Sequence, residues 1–202
     1  MKQPLIFKRE TNEYAVHAEY VAEMARQIAA ERFPEDVYSR GLRVYTTITK
    51  ADQEAAYRSL RRNVLDYDRR HGYRGAEAYA DLGEIKSEQD EALDVLLQEY
   101  DDSKDLHPAI VLQADTKLVR AYRRGGDVVS ISGEGLKFAA RMLDEKAPPN
   151  KRLRRGAIIR VQQDEKNSWR IMQMPEVEAA FLSADPRTGS IKALVGGFDF
   201  GR

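Results

Sequence analysis

The sequence predicts an α+β protein. Three observations carry that prediction: helical periodicity up to about residue 70, five strand-like runs between residues 106 and 175, and a short apolar hairpin at the C-terminal end. Thr11 to Phe33 reads as a helix, with Thr11 or Asn12 as cap and Val21, Ala25, Ile28, Ala29 and Phe33 at helical spacing. Pro34 stops it. Leu42 to Thr49 is β-branched and aromatic, with Leu42, Val44 and Ile48 on one face of a period-two pattern. Thr49 then caps a second helix, Asp52 takes the capping-box position, and Ala56, Leu60, Val64 and Tyr67 form the expected buried stripe. Gly72 and Gly75 close it. A third helix starts near Ser87, with acids in its first turn and Leu93, Leu96, Leu97 and Tyr100 facing inward.

From His107 the period changes from helical to extended. Strands are predicted over Ala109 to Gln113, Lys117 to Arg123, Asp127 to Ser132, Ala157 to Gln163 and Ser168 to Met174. A short helix, Gly133 to Leu143, falls between the third and fourth. Strand-strand-strand-helix-strand-strand over about seventy residues is the topology of an OB-fold, a small five-stranded, partly open barrel. The domain organisation read from these patterns is 1–105 helical with one strand, 106–175 a five-stranded OB-like barrel, and 176–202 a hairpin.

A chain of 202 residues with 42% hydrophobic content can bury a real core in one or two domains. Net charge is zero, so the chain as a whole carries no electrostatic signature of nucleic-acid or membrane binding. The charges are segregated, however. Nine acids against two lysines lie between Glu84 and Asp105, whereas fourteen Lys and Arg against seven Asp and Glu lie between Leu106 and Pro175. There is no cysteine, which excludes disulfides, thiolate-ligated zinc and a thiol nucleophile. No apolar run is long enough to span a membrane and no signal peptide is visible.

The search for chemistry is largely negative. No serine has a lysine three positions on, so a serine acyl-enzyme of the S-x-x-K type is not expected. His17, His71 and His107 are scattered, and no metal or other cofactor is expected. The carboxylates between Glu84 and Asp105 read as a solvated helix face. The interaction candidate is the basic loop Lys146 to Arg155, with Lys151, Arg152, Arg154 and Arg155 as the partner-binding residues. On an OB-fold such a loop can meet single-stranded nucleic acid or oligosaccharide. Only Tyr122, Phe138 and Trp169 offer aromatic surface in the barrel segment, and Phe138 and Trp169 read as core.

The C-terminal stretch Phe181 to Phe200 consists of two apolar strands around Asp185-Pro186-Arg187-Thr188-Gly189. Pro186 presets φ and Gly189 supplies a positive φ, so Arg187-Thr188-Gly189 is turn chemistry rather than a K-T-G element. The stretch resembles the D-P-x-T-G-x-[IV]-x-A-[ML]-V-G-G entry to the transpeptidase domain of class A penicillin-binding proteins. Gly41-Leu42-Arg43-Val44-Tyr45-Thr46-Thr47-Ile48, followed by Ala51 to Ala56, is similar to the G-L-x-V-x-T-T-I stretch that joins their two catalytic regions, with Thr49 where Asp is more usual. Asp66-Tyr67-Asp68-Arg69-Arg70-His71-Gly72-Tyr73-Arg74-Gly75 resembles the Y-D-R-R-H-G-Y-R-G run of the Gram-negative 1A type.

The three matches come in family order and span Tyr14 to Phe200. The resemblance implies a periplasmic region of an inner-membrane-anchored, bifunctional peptidoglycan glycosyltransferase and transpeptidase. That region would hold the interdomain linker, an inserted OB-like domain and the first transpeptidase strands. No catalytic residue is implied, because the S-x-x-K, S-x-N and K-T-G elements lie beyond the matched positions. The implied role is to orient catalytic domains, or to bind peptidoglycan glycan strands or an acidic lipoprotein activator. The competing readings are a single-stranded nucleic-acid-binding OB module and a purely structural spacer. Net neutrality and few aromatics argue against nucleic acid. Leu42 to Ile48 is expected to pair with Phe181 to Ala184 and Ile191 to Val195 in one sheet.

Overall fold

The structure is a computed structural model that describes residues 16–83, 85 and 91–201. The chain divides into two compact units, Leu65–Val177 and Met1–Val64 with Glu178–Arg202. Helix α2, Lys50–Arg70, contributes its first fifteen residues to one unit and its last six to the other.

Unit Leu65–Val177 is built on an antiparallel sheet. Its strands are β1 (Ala78–Tyr79), β2 (His107–Ala114), β3 (Leu118–Arg123), β4 (Asp127–Ser132), β5 (Ala157–Gln163) and β6 (Trp169–Met172). The order is β1-β5-β2-β3-β4, with β6 also on β5. Strand β5 is the hub: one edge pairs Ile158 to Val161 with β2, and the other pairs Ala157 and Ile158 with β1 and Arg160 to Gln163 with β6. Strand β4 lies beside β6 without a hydrogen-bonded ladder, so the sheet curls but does not close. The predicted five strands are present and the fold is α+β. The two-residue β1 is an addition that the sequence pattern does not reveal. The predicted helix Gly133 to Leu143 is a 3-10 turn, Gly133–Ala139, running into the single-turn α4, Ala140–Leu143.

Both faces of the sheet are buried. Ala109, Val111, Val119, Ala121, Ile131 and Ile159 pack inward against Leu136, Ala139 and Leu143. On the opposite face Ile110, Tyr122 and Ile158 pack against Leu82 and against Leu93 and Leu97 of the α3 region. Helix α3 is described over Glu91–Leu96; its expected start near Ser87 lies outside the described residues. Burial on two faces explains why β2 and β5 read as continuous apolar runs rather than alternating ones. Each such Ile or Leu stabilises the unit by about 1.5–3 kcal/mol.

The second unit holds α1 (Glu19–Arg32), the start of α2, and the hairpin β7 (Phe181–Ala184) and β8 (Ile191–Val195). Four expectations are corrected here. Helix α1 starts after Ala18, which makes no side-chain cap, and the expected caps Thr11 and Asn12 lie outside the described residues. No α1 residue is buried, and Ile28 and Phe33 are exposed despite their helical spacing. Tyr67 likewise sits on the exposed side of α2, while Ala56, Leu60 and Val64 are buried.

The fourth correction is that residues 42–48 form no strand. They meet β8 only at its near end: Thr47 Oγ1 donates to the Ile191 carbonyl at 2.7 Å and the Thr49 N–H to the Lys192 carbonyl at 3.1 Å. A buried side chain already occupies the next position on that edge. Gln53 accepts the Leu194 N–H at Oε1, 2.9 Å, and donates from Nε2 to the Leu194 carbonyl, 2.8 Å. The Thr49 cap forms, with the Asp52 N–H donating to Thr49 Oγ1 at 3.2 Å and Thr49 Oγ1 donating to Asp52 at 2.7 Å, but the reciprocal half of the capping box does not, because the Thr49 N–H is given to Lys192.

Candidate functional site: a pinned basic loop

Lys151, Arg152, Arg154 and Arg155 lie on the connection from α4 to β5, and its backbone is held at almost every step. The Pro148 carbonyl accepts from the Lys151 and Arg152 N–H groups at 2.9 Å each. Leu153 is buried, and its N–H donates to the Met142 carbonyl at 2.7 Å. The Tyr79 hydroxyl donates to the Arg152 carbonyl at 2.9 Å. Gly156 has φ +87°, and a Cβ there would stand 2.3 Å from the Ala80 carbonyl oxygen, so only glycine lets the loop reach β5.

The charged heads point differently from the pinned backbone. Lys151, Arg154 and Arg155 are exposed and Arg152 is half-buried. The Arg154 guanidinium lies 5.0 Å over the Tyr79 ring, and Arg155 Nη2 donates to the Ile85 carbonyl. Among the described residues none of the four makes an ion pair. A cationic surface on a fixed backbone loses little conformational entropy when an anionic partner docks.

The aromatic rings are already engaged. Arg123 lies 4.7 Å over Trp169, and His107 meets that ring edge-on at 6.3 Å. Phe138 packs against Tyr73 at 5.3 Å with Arg69 on it at 5.9 Å. Tyr122 is buried, and its hydroxyl donates to Asp94 at 2.8 Å. Burial pushes the Tyr79 and Tyr122 phenols up from their ordinary range. The rings therefore offer no open row on which bases or sugars could stack.

The three histidines stay apart. His17 stacks on Tyr57 at 4.1 Å, His71 Nδ1 lies 2.9 Å from the Tyr67 carbonyl, and His107 Nδ1 lies 3.0 Å from Asp102. That last contact holds the Asp102 carboxyl below the usual carboxylate range. Among the described residues no three His, Asp or Glu side chains converge as a metal would require. Arg187-Thr188-Gly189 is the tip of the β7–β8 turn: Asp185 accepts from the Arg187 and Thr188 N–H groups at 2.9 and 3.2 Å, which lowers its carboxyl, and Gly189 has φ +71°.

Sequence reasoning overlooked a set of buried polar residues. Arg160 interrupts the apolar run of β5, and it forms a bidentate pair with Glu77 at 2.8 and 3.0 Å while donating to the Asp101 carbonyl at 2.6 Å. Gln162 on the same strand meets Asp105 and Arg170. Arg61, also buried, lies 4.1 Å over Phe198. A charge in the middle of an apolar strand is the one signal that marks Arg160.

The model of the penicillin-binding protein OB-like domain matches residues 73–177, which is the unit carrying the pinned loop. The chain belongs to this OB-like domain family. Penicillin-binding protein 1A of Neisseria lactamica is 38% identical over 201 residues, which cover 99% of this chain and 25% of the relative. Penicillin-binding protein 1A of Escherichia coli (strain K12) is 39% identical over 197 residues, covering 93% of this chain and 23% of the relative. The crystal structure of penicillin-binding protein 1A from Haemophilus influenzae superposes with a TM-score of 0.76 at 28% identity, covering 93% of this chain and 27% of that one. The chain thus spans about a quarter of the length of the curated relatives it matches. These matches assign it to the 1A type of class A penicillin-binding proteins, of which the OB-like domain is one part.

Proposed function

We propose that this chain is a non-catalytic region of a peptidoglycan glycosyltransferase and transpeptidase in the periplasm, anchored to the inner membrane through other parts of its parent. The OB-like domain serves as a docking module, and residues 178–201 with residues 16–64 belong to a larger apolar-packed unit. Exposed Met24, Ile28, Leu42, Val44, Phe181 and Leu182 support the second statement, since an isolated unit does not leave so many large apolar side chains in water.

The observation that carries the docking role is the pinned backbone beneath Lys151, Arg154 and Arg155. The partner it fits is an acidic protein surface. Glycan recognition commonly uses an open aromatic face, and the Tyr79 ring beside the loop is covered by Arg154. Nucleic acid is disfavoured on the same ground.

The test compares wild type with Lys151→Glu/Arg154→Glu, using polyglutamate as an acidic-polypeptide probe and purified peptidoglycan sacculi as a glycan probe. Wild type binds polyglutamate, the affinity falls steeply from about 0.05 to about 0.3 M salt, and the double variant does not bind. Binding to sacculi but not polyglutamate replaces the protein partner with glycan. Equal behaviour of wild type and variant with both probes overturns the docking role.

A further inference from the structure

The run Asp66 to Gly75 carries the most specific family resemblance, yet none of its residues belongs to the basic loop. It lies where the chain enters the OB-like domain. Its polar side chains reach about a hundred residues ahead, to the place where the chain leaves. Asp68 is buried, and its carboxylate accepts from Arg74 Nη1 at 2.7 Å, from Gln173 Nε2 at 2.7 Å and from the Glu176 N–H at 3.4 Å. Arg74 spans the junction: its backbone N–H donates to Gln173 Oε1 at 2.9 Å, Nη2 donates to the Met174 carbonyl at 2.6 Å, and Nε lies 3.1 Å from Glu176. Gln173, also buried, gives a second bond from Nε2 to the Gly72 carbonyl at 3.0 Å.

Strand β6 has already ended at Met172, so no backbone ladder holds residues 173–176. Every bond named across the junction uses a side chain. We propose that Asp68, Arg74, Gln173 and Glu176 form a latch that ties the entry of the OB-like domain to its exit and can open while the sheet stays folded.

Two physical features separate the latch from the core. The sheet is held by apolar side chains buried on two faces, whereas the latch is polar and leaves Glu176 largely in water. Clusters of this kind open locally, at a lower free energy than the global transition. Closing a loop of about a hundred residues costs entropy that these bonds offset only when they act together. Opening frees residues 173–177, the connection leading on to β7. The latch also explains the motif: Asp68 and Arg74 are its ends, and Gly72 lends a carbonyl.

Native-state hydrogen exchange on the full chain tests the latch. Arg74→Met keeps the aliphatic stem and removes the guanidinium at the entry; the readout is at the exit. Exchange of the Glu176 amide, which bonds to Asp68, is expected to rise at least tenfold, with the amides of β2 and β3 unchanged within about twofold. Glu176→Gln, on the exposed side, removes one ion pair and is expected to raise exchange of the Arg74 amide by a smaller factor. If Arg74→Met does not fold, Glu176→Gln decides the question alone. A rise spread equally over latch and sheet, or none at either, overturns the proposal.

Discussion

Gln53 and Leu194 are joined by two hydrogen bonds, in which the side-chain amide of one residue replaces the neighbouring strand of the other. Oε1 accepts the Leu194 N–H at 2.9 Å, and Nε2 donates to the Leu194 carbonyl at 2.8 Å and to the His17 carbonyl at 2.8 Å. A glutamine on a helix thus caps the outer edge of β8 and satisfies groups that a third strand would otherwise have paired.

Replacing Gln53 by Leu keeps the volume but strands both backbone groups of Leu194. Destabilisation of about 2–6 kcal/mol is expected, from about 1–3 kcal/mol for each of the two unsatisfied groups. Exchange of the Leu194 amide reports it, and should rise more than exchange in β2 and β3. A cost below about 0.5 kcal/mol would mean that water reaches that edge and the bonds matter little.

Arg160 and Glu77 form a shielded pair whose members depend on each other. Arg160→Met should cost about 3–5 kcal/mol, because Glu77 is left as a poorly compensated charge. Arg160→Met/Glu77→Met should recover much of that loss. Trp169, the one tryptophan in the chain, gives a fluorescence signal for urea unfolding of this unit. Equal destabilisation of the single and double variants would contradict the coupling.

How much of this was legible in the sequence depended on whether local pattern or distant packing decided each element. Strands β4 and β5 run over the residues that the pattern predicts, Asp127–Ser132 and Ala157–Gln163, because the turns and the loop around them set their limits. Residues 42–48 have strand chemistry but meet an edge that Gln53 occupies, and no local pattern reveals a helix side chain acting as a strand. Ile28 and Phe33 have the spacing of a buried stripe, yet they are exposed in the structure. The basic loop was visible as a charge cluster. Its fixed backbone was not, since the bonds that pin it come from Met142, Tyr79 and Val111.

The contact between Asp102 and His107 should give the OB-like domain an acid-sensitive contribution. The His107 hydrogen bond depresses the Asp102 carboxyl, with Arg124 and Arg123 adding attraction. A carboxyl held below its ordinary value stabilises the fold above that value, and the contribution is lost as pH falls through the depressed one. Stability measured by Trp169 fluorescence should therefore decline below about pH 4, and Asp102→Asn should flatten that decline. Asp102 is half exposed, so the effect is small. Identical acid limbs in both proteins would remove the contact from the account.

The central proposal is that this stretch, which belongs to the 1A type of penicillin-binding proteins, plays a non-catalytic part in its parent. Incubating the chain with a fluorescent penicillin and weighing the intact protein tests that claim most directly. No serine is followed three residues later by a lysine, so the account predicts an unchanged mass and no labelled band on a denaturing gel. A stoichiometric covalent adduct that survives denaturation would contradict it.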